Sequence, residues 1–168
     1  MTTVPTPLGD LSAWAVIAAN VVGWATWMLF VGWGVNRVAL GRVDHDTWLT
    51  RARGFERGGR WYESRWHIRA WKDRLPEGGA FFRGGFAKRS VAGGDAALLS
   101  RFVAETRRAE YAHWLMRAGA PVFFVWNAWW GDVLMVAFAV AVNLPCLMVQ
   151  RYNRLRLTRV LRRLAASP

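Results

Sequence analysis

A chain of 168 residues with 54% hydrophobic residues, twelve Trp and a formal net charge of +12 joins two properties that seldom meet in one soluble domain. The charge alone would suit a nucleic-acid binder, but the long uncharged runs and the tryptophans exclude that class. They point to segregation, with apolar segments in lipid and basic segments against anionic head groups. The single cysteine, Cys146, excludes an internal disulfide and a Cys-based zinc site, and it reads as a small core residue.

Residues 11–36 carry no charge. At ~1.5 Å per residue they reach roughly 39 Å, enough to cross a ~30 Å hydrocarbon core. No basic region precedes them and no small-residue cleavage site follows, so the stretch predicts a retained membrane helix rather than a signal peptide. Trp14 and Trp33 stand near its ends, as interfacial indoles do. Asn20, Trp24 and Trp27 share a face that is predicted to pack on other helices, because a lipid-facing Asn lacks partners.

Residues 37–110 read as a cytoplasmic, partly helical interfacial segment. Turns are expected at Gly58-Gly59, Gly78-Gly79, Gly84-Gly85 and Gly93-Gly94, and an amphipathic helix over 61–71 from Trp61, Arg65, Trp66 and Ile68. From about Tyr111 to Gln150 the chain is apolar again, interrupted by Trp129-Trp130-Gly131-Asp132. That pattern predicts a helical hairpin with arms at about 111–128 and 133–150, followed by a basic tail, 151–168. The expected class is therefore an all-α membrane protein of one domain, with three transmembrane helices near 11–36, 111–128 and 133–150. The first ten residues and the turn at 128–132 hold no Lys or Arg, whereas 37–110 holds sixteen and the tail six. This asymmetry predicts an outside amino terminus and a cytoplasmic carboxyl terminus.

The densest polar cluster is Glu105-Thr106-Arg107-Arg108-Ala109-Glu110-Tyr111-Ala112-His113-Trp114. On a helix Thr106, Glu110, His113 and Arg117 form one stripe. A carboxylate one turn from an imidazole suits a general base with an orienting partner, and Arg117 or Arg107 suits an anion or a developing oxyanion. The competing view is an interfacial helix start whose charges are solvated or paired. Glu110-x-x-His113 is also half of a di-iron helix motif, but the second half is missing, with His45 and His67 outside any such pattern, so no metal is expected.

In the third apolar stretch Asn143, Gln150 and Arg154 are spaced seven and four apart, beside Pro145, which is expected to kink or widen the helix. They are predicted to line a hydrophilic cleft shared with the start of the second helix; plain interhelical hydrogen bonding is the alternative. The glycine-rich pieces Phe55–Glu63 and Trp71–Gly79 match no nucleotide fingerprint. Lys72, Arg74, Lys88 and Arg89 suit a phosphate-bearing donor or a lipid head group. Neither a His-x4-Asp motif nor a Gly-x-Ser-x-Gly elbow occurs, since His113 reaches Ala118 and His67 reaches Lys72.

Residues 105–114 and Asn143-Leu-Pro-Cys-Leu-Met-Val-Gln-Arg-Tyr-Asn-Arg154, together with Phe55–Glu63 and Trp71–Gly79, resemble the glycosyl-4,4'-diaponeurosporenoate acyltransferase family across residues 45–160. Those bacterial membrane enzymes are associated with adding a fatty acyl chain to a glycosylated carotenoid. The resemblance maps the family's Glu/Arg/Glu/His motif onto Glu105, Arg108, Glu110 and His113, and its polar carboxyl-terminal motif onto Asn143, Gln150, Arg151, Asn153 and Arg154. It implies a multi-pass protein of the bacterial plasma membrane that moves an acyl group to a glycolipid hydroxyl at the cytoplasmic leaflet. No bound cofactor is expected, and acyl-coenzyme A or a similar thioester is the expected co-substrate. His113, Glu110 and Glu105 are the expected catalytic set. Arg107, Arg108, Arg117, Asn143, Gln150, Arg151, Asn153 and Arg154 are the expected substrate contacts on the helices, and Arg60, Glu63, Trp71, Lys72, Asp73, Arg74 and Lys88 those on the loops. The expected partners are membrane lipids, the acyl donor and the glycolipid acceptor. The rival reading is a non-catalytic adaptor with a flat basic face and a closed helix bundle, and a hydrolase at the same site is a third.

Overall fold

The computed structural model describes residues 2–75 and 96–166. The expectations placed on Glu77, Gly78-Gly79, Gly84-Gly85, Lys88, Arg89 and Gly93-Gly94 lie outside the described residues.

The chain opens with an unexpected element for an all-α class, a two-stranded antiparallel hairpin of β1 (Thr3–Thr6) and β2 (Gly9–Ser12). Thr6 Oγ1 closes its turn onto the Gly9 carbonyl at 2.8 Å. Ser12 then caps the next helix by accepting the Ala15 N–H at 3.2 Å, a first-turn donor that would otherwise lack a partner. That helix, α1 (Ala13–Asn36), is apolar all round, with Ile17, Val21, Val22, Leu29 and Phe30 left exposed. A helix of this kind belongs in lipid or in a large core.

Beyond α1 the chain forms short pieces, namely 3-10 turns at Leu40–Arg42 and Gly54–Gly59 and the helix α2 (Arg60–Trp66). The amphipathic helix expected over 61–71 is broken. His67 takes a left-handed conformation (φ 47), and the chain continues as two 3-10 turns, Ile68–Ala70 and Lys72–Arg74. Two long helices follow, α3 (Ala96–Ala118) and α4 (Trp129–Ala166), joined by a 3-10 turn, Ala120–Val125.

The predicted arm over 111–128 is thus the end of α3 plus that turn, and α3 begins well before it, at Ala96. Pro121 explains the break: its ring lacks an N–H and collides with the carbonyl four residues earlier. Helix α4 starts four residues before the expected 133 and runs on through Pro145 and the basic tail, where 150 had been the expected end. Among the described residues two helices, α1 and α4, are long and apolar enough to cross a membrane. α3 carries too many charges to join them, so no third helix of that kind occurs among the described residues.

Three sets of contacts fix the packing. Arg108 donates to the Asn36 carbonyl, the Trp27 indole to the carbonyls of Leu115 and Met116, and Trp126 to Asn20. The arm from 108 to 127 therefore climbs antiparallel to α1, along the Asn20–Trp24–Trp27 face that the sequence marks for packing. Helix α4 descends beside α3, with His113 meeting Asn143 and Glu110 meeting Arg154. Consequently α1 and α4 run in the same direction, and the α3 arm carries the chain back between them.

Two apolar cores result. One gathers Trp24, Ala120, Phe123, Met135 and Ala139 between the three long elements, with the Trp24 and Phe123 rings stacked 4.4 Å apart. The other packs Tyr62 and Ile68 against Met148, Val149, Tyr152 and Leu155 of α4.

Gly119 sits where α3 ends against Trp27, and a Cβ there would lie 2.1 Å from the indole nitrogen. Gly119→Val is expected to lower stability by ~1–3 kcal/mol through overpacking, read as a fall in the thermal midpoint in detergent. Adding Trp27→Leu should recover part of that loss, whereas strictly additive effects would show that the two residues do not press on each other.

Candidate active site

The polar centre of the molecule is a buried charge cluster where the second core meets the loops. Glu110 and Glu56 are fully buried, as are Thr50 and, nearly so, Arg154. Glu110 accepts from Arg151 at 2.5 Å and from Arg154, one carboxylate oxygen to each. Arg151 also holds Glu56 at 2.8 Å and donates to the carbonyls of Leu49 and Arg51, while Arg154 donates to the Thr50 carbonyl. The Tyr62 hydroxyl donates at 2.6 Å to Glu56 Oε1, the oxygen that Arg151 Nε also holds. Burial on its own would push the Glu56 carboxyl up. The hydrogen bonds from Arg151, Tyr62 and the Arg53 N–H outweigh it and hold the group below its usual value.

Glu110 therefore does not orient His113, as its place one turn away suggests; both its oxygens are taken by guanidinium groups. The partner of His113 is Asn143, with Nδ1 2.9 Å from Oδ1. Asn143 is buried, and its Nδ2 donates to the Ala139 carbonyl at 2.9 Å. The amide oxygen is thereby turned toward the ring, so Nδ1 carries the proton and Nε2 keeps a free lone pair. An imidazole held in this tautomer is poised to take a proton from a hydroxyl.

The remaining expected residues divide by location. Arg107 reaches Asp46 at 2.8 Å and the Asp44 carbonyl at 2.7 Å, which leaves it no oxyanion role near His113. Glu105 pairs with Arg108 at 2.6 Å on the same helix. Arg117, one turn beyond His113, lies with its guanidinium 4.7 Å from the Trp114 ring centroid, and both its Nε and the Trp114 Nε1 are buried without a hydrogen-bond partner. Gln150 and Asn153 are half-buried on α4, and Arg60 and Arg74 are exposed. Glu63 accepts from Tyr152 at 2.8 Å and Arg69 at 2.7 Å, Lys72 pairs with Asp73 at 2.5 Å, and the Trp71 indole donates to the Trp66 carbonyl at 2.9 Å. Glu63 and Trp71 thus belong to the core around Tyr152, which stands between Arg151 and Arg154 on α4, and none of these loop residues bonds His113.

Sequence reasoning passed over Glu56, Tyr62, Asp46 and the Leu49–Arg51 carbonyls. Apart from Tyr62, which bonds Glu56 six residues away, their partners lie from 61 to 104 residues away, and no local spacing signals such pairs.

Glu110→Gln should cost ~3–5 kcal/mol, because the buried Arg154 and the largely covered Arg151 lose their shared counter-charge; a loss under 1 kcal/mol in chemical unfolding would contradict the clamp. The lowered Glu56 carboxyl stabilises the fold above its ordinary 4.5, and that contribution vanishes as the pH falls through the folded value. Glu56→Gln should accordingly be less stable at pH 7 yet flatter in its pH dependence below about 4.5.

The family model of glycosyl-4,4'-diaponeurosporenoate acyltransferase matches residues 45–163, a stretch that holds the charge cluster, His113 and Asn143. Proteins of that name from Staphylococcus aureus strains bovine RF122 / ET3-1 and MRSA252 are each 30% identical to this chain, over 112 and 110 residues. A third, from strain N315, is 28% identical over 108 residues. Each match covers 64% of this chain and 65% of the relative, so the chain spans about two thirds of their length. No solved structure matches it significantly. With residues 45–163 matched, the chain belongs to the glycosyl-4,4'-diaponeurosporenoate acyltransferase family.

Proposed function

We propose that the chain is a membrane acyltransferase that moves a fatty acyl group from a thioester to a hydroxyl of a glycolipid, a glycosylated carotenoid being the acceptor that the relatives' name suggests. The observation that carries this reading is the His113–Asn143 pair, which leaves Nε2 as a base where α3 and α4 meet above the charge cluster.

The step balances as follows. Nε2 takes the hydroxyl proton as the oxygen attacks the thioester carbonyl. A C–O bond forms and the C–S bond breaks. The departing thiolate recovers the proton from the imidazolium and leaves as a thiol. The unpartnered Arg117 Nε and Trp114 Nε1 are the donors suited to the tetrahedral oxyanion.

The charge asymmetry of the segments supports a bacterial membrane protein with its amino terminus outside and the 37–110 segment in the cytoplasm. In this arrangement the α3 arm and its 3-10 turn make the third crossing that returns the chain from α1 to α4. Against an adaptor with a flat basic face stands the internal pairing of Arg69, Arg107, Arg108, Arg151 and Arg154 with carboxylates.

His113→Ala should lower acyl transfer by roughly 10²–10⁴-fold with membrane insertion intact; full activity in that variant removes His113 from the mechanism. Asn143→Ala should lower kcat by a smaller factor with KM unchanged, because it frees the ring tautomer without touching substrate. For topology, Thr6→Cys in a Cys146→Ser background should label from outside intact cells, and Arg42→Cys only after the membrane is opened. Outside labelling at position 42 would reverse the orientation.

A further inference from the structure

Beyond the charge cluster, toward the end of α4, lies a cavity of about 190 Å3 whose wall includes Arg107, Arg154, Arg159, Arg162, Asp46 and Gly58. Four guanidiniums face one carboxylate there. Arg107 is neutralised by Asp46 and Arg154 by Glu110. Arg159 and Arg162 pair with no carboxylate among the described residues, and the Arg159 Nε is buried without a hydrogen-bond partner. Glu63, which Arg159 influences from farther off, is already bonded by the Tyr152 hydroxyl and Arg69.

The wall opposite Arg159 is built for close approach. Arg57 (φ 47) and Gly58 (φ 63) both turn left-handed, and a Cβ on Gly58 would lie 3.2 Å from Cδ and Nε of Arg159. The turn that resembles no nucleotide fingerprint thus presses backbone against the buried Nε of half-buried Arg159.

We propose that this cavity binds the phosphates of a coenzyme A thioester, the acyl donor of the reaction, with Arg159 and Arg162 as the phosphate contacts rather than the motif arginines Arg108, Arg151 and Arg154. It rests on the acyl-transfer reading above. Helix α4 meets His113 at Asn143 and lines the cavity about fifteen residues farther along, a separation of roughly 22 Å at ~1.5 Å per residue. A coenzyme A thioester carries its reactive sulfur at the end of a long flexible arm from its phosphates, which fits that gap. A phospholipid carries its ester carbonyl only a few bonds from its phosphate, so a head group in this cavity could not present its own ester to His113. Guanidiniums are suited to phosphate because their planar forks match its oxygens.

The test uses the purified full chain in nanodiscs of zwitterionic lipid and adenosine 3',5'-bisphosphate as the probe, followed by calorimetry. The wild type should bind it, Arg159→Gln and Arg162→Gln should each weaken binding about tenfold or more, and the exposed Arg156→Gln should not. His113→Ala should bind as the wild type does while losing transfer. Wild-type binding in the Arg159→Gln, Arg162→Gln double variant overturns the proposal, as does loss of probe binding when phosphatidylglycerol replaces part of the lipid, which would assign the cavity to a head group. Transfer that survives His113→Ala sinks the catalytic reading alone and leaves the binding result standing.

Discussion

Glu110 sits with no exposed surface between two guanidiniums, and that arrangement sets the register of everything around it. A buried carboxylate is tolerable only when its charge is matched and its lone pairs are filled. Arg151 and Arg154, one turn apart on α4, do both. Their remaining N–H groups then collect three consecutive carbonyls, Leu49, Thr50 and Arg51, and pull the loop segment onto the helix pair. Slide α3 against α4 by one turn and the carboxylate can no longer reach both partners. The same register brings His113 opposite Asn143, so a structural charge cluster holds that hydrogen-bonded pair in place from one turn away.

Nearer the amino-terminal end of α1 the polar problem is solved differently. Asn20, Asn127 and Trp126 satisfy one another, with Asn127 also donating to the Phe123 carbonyl. The Trp27 indole donates to the carbonyls of Leu115 and Met116 in the last turn of α3, where backbone donors run short; Met116 also accepts the Gly119 N–H at 3.3 Å. In a region with little water, such closed accounts are the condition for irregular backbone to exist at all.

Patterns of local origin were legible in the sequence. The uncharged run gave α1 and its packed face, and the paired motifs gave the two helices that carry the site. The boundaries went astray where local and tertiary signals diverged. Apolar content marks lipid depth, not helix length, so the charged first four turns of α3 and the basic end of α4 looked like segment and tail. The partner of His113 was misread for a related reason. Spacing placed Glu110 nearby, but a carboxylate goes to the stronger donors, and the two arginines that claim it come from 41 and 44 residues away.

The turn between α3 and α4 lies at the level of Asn20, seven residues below the start of α1, or about 10 Å. The exposed pair Trp129 and Trp130 stands at that lower level, whereas Trp14 stands near the top of α1. The two flanks of the molecule thus prefer bilayers of different thickness, and a membrane adapts to such a step by dimpling beside the hairpin or by letting α1 lean. Either response leaves a wedge of lipid beside the upper part of α1, where the tails are less ordered than in the surrounding sheet.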